Sequence, residues 1–220
     1  MRILNYALSA ISFVLLAGLI IAYASGYKIN LSTRNLSQTA VIDVQPDIND
    51  AQVSLNNQVM GNGHQSLRYL SPGHYDLKVS KDGYHDWTKS LDLKRNEAVV
   101  LNDIVMFKQS PEQTEFDFNG GQDSISKISD TDNLRTSGGE IYQNDALVTR
   151  LSTDIKGLCW YTDRRYLAFT SNGALKIIQI DGTNEVDLFQ KNSDGPVVFV
   201  NSGRSVIYES NGKIYRSQIR

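Results

Sequence analysis

The stretch SPGHYDLKVSKDGYHDW occupies residues 71–87. Pro72 and Gly73 predict a tight turn, because proline presets φ and glycine accepts left-handed backbone. Residues 75–79 then alternate apolar and polar side chains, which is the period-two pattern of a half-buried strand. Gly83 marks a second turn. The stretch therefore predicts strands joined by tight turns.

Similar runs extend on both sides of this stretch. Apolar or alternating segments lie at residues 41–44, 51–55, 58–60, 67–70 and 99–107. Asn56 and Asn57 predict a two-residue hairpin turn, since asparagine tolerates positive φ. At least six short strands without a convincing helical pattern predict a small antiparallel β-sandwich.

The residue order across this region resembles the PEGA domain, a small β-sandwich of bacterial and archaeal surface proteins. The matching residues are Pro46, Ala51, Val53, Leu55, Asn56, Gly61, Leu70, Pro72, Gly73, Tyr75, Leu77, Val79, Lys81, Gly83, Tyr84 and Trp87. The chain departs from the family where residues 47–50 replace a Glu-Gly pair and where no Thr-Pro follows Gly61, which implies altered loops. The resemblance implies a spacer or adhesion module without catalysis.

The N-terminal segment carries no charged side chain between Arg2 and Lys28. Residues 6–24 would form about 28 Å of helix, close to the thickness of a bilayer core, and predict a lipid-spanning anchor. A signal peptide cleaved after Ala24 is the alternative, because Ala22-Tyr23-Ala24 has the form of a cleavage site. The single positive side chain before the apolar run favours the uncleaved anchor. The short head and long β-rich tail predict that the tail is extracytoplasmic.

A repeat occupies the C-terminal part of the chain. Residues 160–180 align without a gap to residues 199–219, at a constant offset of 39. The identical pairs are Arg165/Arg204, Ser171/Ser210, Asn172/Asn211, Gly173/Gly212, Gln179/Gln218 and Ile180/Ile219. Each copy predicts a strand, an Asn-Gly turn and a second strand, and a period near 40 is typical of β-propeller blades. Residues 137–142 echo residues 210–215 as a partial third copy.

Residues 164–189 also resemble the blades of TolB-like propellers, including a phrase of the Asp-Gly-x-Asn type at 181–184. Propellers close with four to eight blades, whereas this chain carries two, or two and a half. We therefore expect a small non-closed β-module. A ring completed by oligomerisation and a propeller that has lost its remaining blades are the alternatives.

The sequence thus predicts a mainly β chain with an N-terminal transmembrane helix, a small antiparallel PEGA-like β-sandwich and a β-rich, blade-like repeat module. The predicted segments are an anchor over 1–27, a juxtamembrane linker over 28–37, the sandwich over 38–108, a linker over 109–133 and partial blade repeats over 134–220.

The composition limits the possible chemistry. A formal net charge of −2 offers no basic surface for nucleic acid. The single cysteine, Cys159, excludes an intramolecular disulfide or a cysteine-based zinc site, and its place in an apolar strand predicts a small buried side chain rather than a nucleophile.

Other candidate site residues have plain structural interpretations. His64, His74 and His85 lie beside turn glycines, and we expect surface histidines because a metal site needs converging ligands. Asp82 and Asp86 are expected to be solvated turn carboxylates rather than an acid/base pair.

Two further groups leave a binding alternative open. Arg164 and Arg165 predict a solvated turn, with contact to an anionic glycan or lipid as the alternative. The aromatic residues Tyr69, Tyr75, Tyr84 and Trp87 predict core packing, with a carbohydrate platform as the alternative. We predict no catalytic, cofactor-binding or metal-binding residue.

These observations predict a non-enzymatic, membrane-anchored envelope or surface protein that acts as a structural spacer or protein-interaction module. The expected partners are the bilayer, through residues 6–24, and another envelope protein or a surface glycan. The alternative is a ligand-binding, glycan-binding or enzymatic propeller subunit whose site forms only on oligomerisation.

Overall fold

The computed structural model describes residues 2–24, 27–30, 35–118 and 121–220. The chain divides into two compact units. The first comprises residues 1–79 and 89–104, and the second comprises residues 80–88 and 105–220. Helix α1 (Arg2–Ala24) belongs to the first unit.

The first unit is otherwise built from short strands. Strand β1 (Tyr27–Asn30) pairs antiparallel with β2 (Asn35–Gln38). The following strands are β3 (Ala40–Pro46), β4 (Gln52–Leu55), β5 (Gln58–Asn62), β6 (Gln65–Leu70), β7 (Gly73–Ser80), β8 (Trp87–Leu93) and β9 (Ala98–Ile104). The last residue of β7 and the first two residues of β8 fall in the second unit. The expected linker over 28–37 thus contains two paired strands, while residues 31–34 of it lie outside the described part of the chain.

Strands β3 to β9 form two sheets, in the orders β6-β3-β9 and β5-β4-β7-β8. Alternate side chains are buried, as a two-layer arrangement requires. On β3 these are Ala40, Ile42 and Val44, and on β7 they are Leu77 and Val79. The predicted β-sandwich pattern is therefore confirmed.

One ladder differs from the antiparallel expectation. Strands β3 and β9 pair in parallel, with Ile42 opposite Val99 and Val44 opposite Leu101. A tight hairpin enforces antiparallel pairing, but these two strands are separated by a long connection that leaves either direction open. The hairpin between β4 and β5 does follow its turn residues, because Asn56 and Asn57 have φ values of 49° and 64°.

The second unit contains three further sheets. Its elements are β10 (Gln113–Glu115), α2 (Gly121–Ile128), β11 (Leu134–Ser137), β12 (Glu140–Gln143), β13 (Ala146–Arg150), β14 (Lys156–Trp160), β15 (Tyr166–Ser171), β16 (Ala174–Gln179), β17 (Val186–Gln190), β18 (Val198–Val200), β19 (Ser205–Ser210) and β20 (Lys213–Gln218). We name the three sheets after their positions: the leading sheet (β11-β12-β13), the middle sheet (β14-β15-β16-β17) and the terminal sheet (β10-β20-β19-β18).

Apolar clusters join these sheets face to face. The leading sheet packs on the middle sheet through Ile141, Leu167 and Phe169. The middle sheet packs on the terminal sheet through a larger cluster that includes Ile177 and Tyr208. Within the described residues, the sheets close into neither a barrel nor a propeller. The expected non-closed β-module is thus what the structure shows.

The region expected to be a linker, residues 109–133, is structured where it is described. Strand β10 pairs with β20 at the edge of the terminal sheet. Helix α2 buries Ile125 completely, against Val198 and Ile207. The segment looks like a linker in sequence because it is polar and carries few apolar side chains, yet those few lie together on the terminal sheet.

The two repeat copies are structurally equivalent. Asn172 and Gly173 have φ values of 51° and 75°, and Asn211 and Gly212 have values of 51° and 76°. The same backbone hydrogen bond closes both copies, from Ile180 N to Arg165 O and from Ile219 N to Arg204 O. Phe169 and Tyr208 are both fully buried. Strands β14-β15-β16 and β18-β19-β20 therefore form the same three-stranded meander.

Candidate functional site

Helix α1 has the properties of a membrane span. Residues Tyr6–Ala24 have a mean hydropathy of 2.3, and none of that window is buried. Large apolar side chains such as Phe13 and Leu15 are 73% and 65% exposed, which is costly in water but suits contact with lipid. A signal sequence near the N-terminus would have the same length and composition.

The histidines do not converge. His64 contacts Asp43 at 3.0 Å, and His74 contacts Asp92 at 2.8 Å, both at exposed positions. The hydrogen bond to Asp92 raises the pKa of His74. No group of three or more His, Cys, Asp or Glu side chains that could hold a metal ion occurs in the described part of the chain.

His85 differs from the surface position expected for it. It is half-buried in the second unit, where its backbone N–H donates to Phe107 O at 2.8 Å. Its ring atom Nε2 is buried and has no hydrogen-bond partner among the described residues. Asp82 and Asp86 are both exposed.

The four aromatic residues separate into different roles. Trp87 is 2% exposed, and its indole N–H donates to Gln179 Oε1 at 3.2 Å inside the second unit. Tyr75 is half-buried beside Leu77 and donates its hydroxyl to Ser71 O at 2.8 Å. Tyr69 is 41% exposed and belongs to the first unit. Core packing therefore describes Trp87 and, in part, Tyr75.

Tyr69 has an unusual backbone. Its φ is 61°, which is rare for a bulky residue and costs energy. Its hydroxyl donates to the hydroxyl of Tyr23, near the end of α1, at 2.9 Å. The sequence offers no signal for this conformation.

Cys159 is fully buried, as expected, and its thiol donates to Val197 O at 3.7 Å. Burial raises the pKa of the thiol to about 11, so the thiolate that a nucleophile needs is disfavoured. Sequence reasoning missed a second buried polar group, Lys191, which has no exposed surface. Its ammonium donates to Ser193 O at 2.9 Å and to Gly195 O, and burial lowers its pKa to about 8. Lys191 ties its own loop together.

Arg164 is exposed in a turn, and its guanidinium group is held there by two carboxylates. It donates to both carboxylate oxygens of Asp130, from Nε at 2.9 Å and from Nη2 at 3.1 Å. Asp132 accepts a longer contact of 3.4 Å. Its partners lie just after α2, a segment whose proximity the sequence did not indicate.

A polar cleft of about 770 Å³ lies on the outer face of the terminal sheet. Three cationic side chains, Lys108, Arg204 and Arg216, line it together with Glu112. The remaining lining residues are the polar Thr114, Asn201, Ser202, Ser205 and Gln218.

Local structure explains how the cleft residues come together. Thr114 and Arg216 are opposite each other on β10 and β20, and the backbone of Lys108 is tied to Ile219 O at 2.9 Å. Arg216 is steadied by Phe116, whose ring centre is 5.8 Å from the guanidinium carbon, and donates from Nη2 to Ser205 Oγ at 3.5 Å. Sequence patterns do not reveal this site, because its residues come from three separate segments.

The described residues therefore define a class of protein: an apolar helix long enough to cross a membrane, followed by a small β-sandwich and a set of packed β-sheets. The comparison with family models then identifies the sandwich. Residues 39–106 match the model described as the PEGA domain. The match and the structural units differ in extent, since residues 80–88 and 105–106 lie in the second unit. No curated protein matches the chain.

Proposed function

We propose that this chain is a non-enzymatic, membrane-anchored surface protein that holds a PEGA domain and a sheet-stack module outside a bacterial-type cytoplasmic membrane. One observation carries the proposal: an exposed apolar helix precedes a PEGA domain in the same chain. The two features support the same location, because PEGA domains are typical of extracellular modules.

The burial of reactive groups supports a role without catalysis. Cys159 is buried as a neutral thiol, and Lys191 is buried against backbone carbonyls. Neither is open to a substrate. The exposed histidines His64 and His74 each bind a neighbouring carboxylate at the surface. The chemistry that the fold presents to solvent is therefore suited to binding.

The outer faces of the sheet stack support a module that works without forming a ring. On the outer face of the leading sheet, Arg135 stacks over Tyr142, while Arg150 pairs with Glu140 at 2.6 Å. On the outer face of the terminal sheet, α2 covers the apolar half, and the other half is the polar cleft. Polar outer faces are what terminal repeats need in order to remain soluble.

The repeat supports an origin in propeller blades. The middle sheet has the strand order β14-β15-β16-β17, and β18-β19-β20 repeats its first three strands in the terminal sheet. Strand β10 occupies the place that β17 has in the middle sheet. We propose that these sheets are blades adapted to an open stack, whose function is to extend from the membrane and contact an envelope component.

The anchor is tested by alkaline carbonate extraction of membranes followed by intact mass measurement. We expect the uncleaved chain in the pellet, because residues 6–24 are long enough to span the bilayer core. Protease added to intact spheroplasts should digest the β-rich part of the chain.

The variant Ala24→Phe is the matched control, since a bulky residue blocks signal-peptide cleavage at that position. Wild type and variant should have the same mass apart from the substitution. A soluble wild-type product that begins at Ser25 would overturn the anchor, and protection from external protease would overturn the orientation.

A further inference from the structure

We propose that the cleft formed by Lys108, Arg204 and Arg216 is a binding site for an anionic sugar, one that carries phosphate or carboxylate groups on a polyhydroxylated frame. The presence of such a ligand at the outer surface rests on the proposed function. Binding of the sugar to the purified chain in solution does not depend on the proposed function. The binding proposal and the proposed function can therefore be refuted separately.

The charge of the cleft is the first argument. Five other cations of the second unit have carboxylate partners within 3.4 Å, namely Arg135, Arg150, Arg164, Lys176 and Lys213. Among the described residues, the three cations of the cleft form no ion pair. Like charges collected in one concave site repel one another and attract an anion. With Glu112 as the one carboxylate in its described lining, the cleft brings together three cations that form no ion pair with a described residue, so its charge is positive overall.

The repeat supplies an internal comparison. With the offset of 39, Arg216 corresponds to Ile177 and Ser205 corresponds to Tyr166. Ile177 and Tyr166 are buried where the middle sheet packs on its neighbour. To be soluble, the outer face needs only hydrophilic side chains, and these can carry either charge or none. The need for a soluble face therefore explains the loss of Tyr166 and Ile177, but it does not explain why a cation, Arg216, stands in place of Ile177 beside Arg204.

The neighbouring donors define the rest of the ligand. The guanidinium group matches the geometry of phosphate and carboxylate oxygens, with which it forms bidentate hydrogen bonds. Thr114, Ser202 and Gln218 add hydroxyl and amide groups that suit the hydroxyls of a sugar. A volume of about 770 Å³ is within the usual range for small-molecule sites and exceeds what one inorganic ion requires.

Isothermal titration calorimetry on the full chain in non-ionic detergent tests the proposal. The probes are glucose 6-phosphate, trigalacturonate, inorganic phosphate and neutral glucose. We expect at least one of the two anionic sugars to bind, and to bind more tightly than inorganic phosphate or glucose. Raising the salt concentration should weaken binding, because the interaction is electrostatic.

Substitutions in the cleft should weaken this binding. Arg216→Gln should reduce the affinity about tenfold, since it removes charge-assisted hydrogen bonds. Arg204→Gln should act in the same direction, and because Arg204 is exposed its substitution should leave the melting temperature unchanged. Lys213→Gln is the matched control on the same strand, because Lys213 is paired with Glu115 outside the cleft. That variant should bind as the wild type does.

Several results would overturn the proposal. One is the absence of binding by both anionic sugars. Another is binding of neutral glucose as tight as that of the anionic sugars, which would show that charge does not contribute. A third is equally tight binding of inorganic phosphate, which would show that the sugar frame does not contribute. An equal loss of affinity in Lys213→Gln and Arg204→Gln would place the effect in overall charge rather than in the cleft.

Discussion

Gly203 lies in a turn where the ring of Tyr161 leaves no room for a side chain. Asn201, Ser202 and Gly203 have consecutive positive φ values of 54°, 54° and 78°. The Tyr161 hydroxyl donates to Gly203 O at 3.0 Å, so the phenol ring lies directly against the glycine. In the first repeat copy the equivalent residue is Arg164, which also has positive φ, at 55°. Positive φ at this one position is therefore shared, while the two preceding positive φ values and the close contact with an aromatic ring belong to the second copy.

We expect Gly203→Ala to destabilise the chain more than Gly212→Ala. Both glycines have nearly the same positive φ, 78° and 76°, so each substitution should cost about 1 kcal/mol for left-handed backbone. An added Cβ at Gly203 would overlap the Tyr161 ring, whereas at Gly212 it would meet nothing within 4 Å. The overlap should add about 1–3 kcal/mol. Urea denaturation of both variants measures the difference, and equal free energies of unfolding would contradict the contact.

At the scale of elements, the two Asn-Gly hairpins are the repeated unit. Strands β15 and β16 are joined at Ser171 and Ala174, and strands β19 and β20 are joined at Ser210 and Lys213 in the same register. Both turns place asparagine and glycine at positive φ, which matches the twist of a two-residue hairpin. Both hairpins therefore depend on the same local feature, the Asn-Gly turn.

We expect Gly173→Val and Gly212→Val to lower the free energy of unfolding by similar amounts, about 1–3 kcal/mol each. Valine is strained at positive φ, and neither site is crowded by backbone atoms. The position of a Cβ at Gly173 is 3.3 Å from the flexible Gln190 side chain, and that at Gly212 is open. Thermal melts of the two variants test the equivalence, which would be refuted if one variant were silent and the other unfolded.

At the scale of the whole molecule, Trp87 shows that the residues matched by the PEGA model do not coincide with one compact unit of the structure. Its indole donates to Gln179, and the Asn184 side chain makes two hydrogen bonds with the backbone of Thr88, at 2.8 and 3.0 Å. Residues 80–88 therefore belong with the sheet stack, although they lie inside the PEGA match. Asn184, the last residue of the Asp-Gly-x-Asn motif, thus helps to hold residues 80–88 in place.

We expect Trp87 to be solvent-exposed in an isolated fragment of residues 38–108. The fragment lacks Gln179 and the other residues of the second unit that bury the ring. The matched comparison is the full chain carrying Trp160→Phe, in which Trp87 is the remaining tryptophan. Its fluorescence should be blue-shifted and resistant to iodide in the full chain, but red-shifted and quenched in the fragment. Circular dichroism must show that the fragment keeps its β-structure, and equal burial in both would contradict this assignment.

The sequence by itself determined the features that depend on local order. The apolar run of residues 6–24, the alternation of Tyr75, Leu77 and Val79, and the Asn-Gly turns each act through neighbours along the chain, so their patterns can be read directly. The PEGA resemblance and the 39-residue repeat follow from such patterns, and both correspond to structure.

Only the tertiary structure decided which distant segments meet. The parallel pairing of β3 with β9, the place of β10 beside β20 and the burial of Ile125 all join segments that carry no mark of one another in sequence. The cleft is the clearest case, since Arg216 looks like an ordinary strand cation until Lys108 and Arg204 lie beside it. The physical reason is that sheet edges and faces select their partners by complementary surface and hydrogen bonding across space, and that selection leaves no periodic signal in the chain.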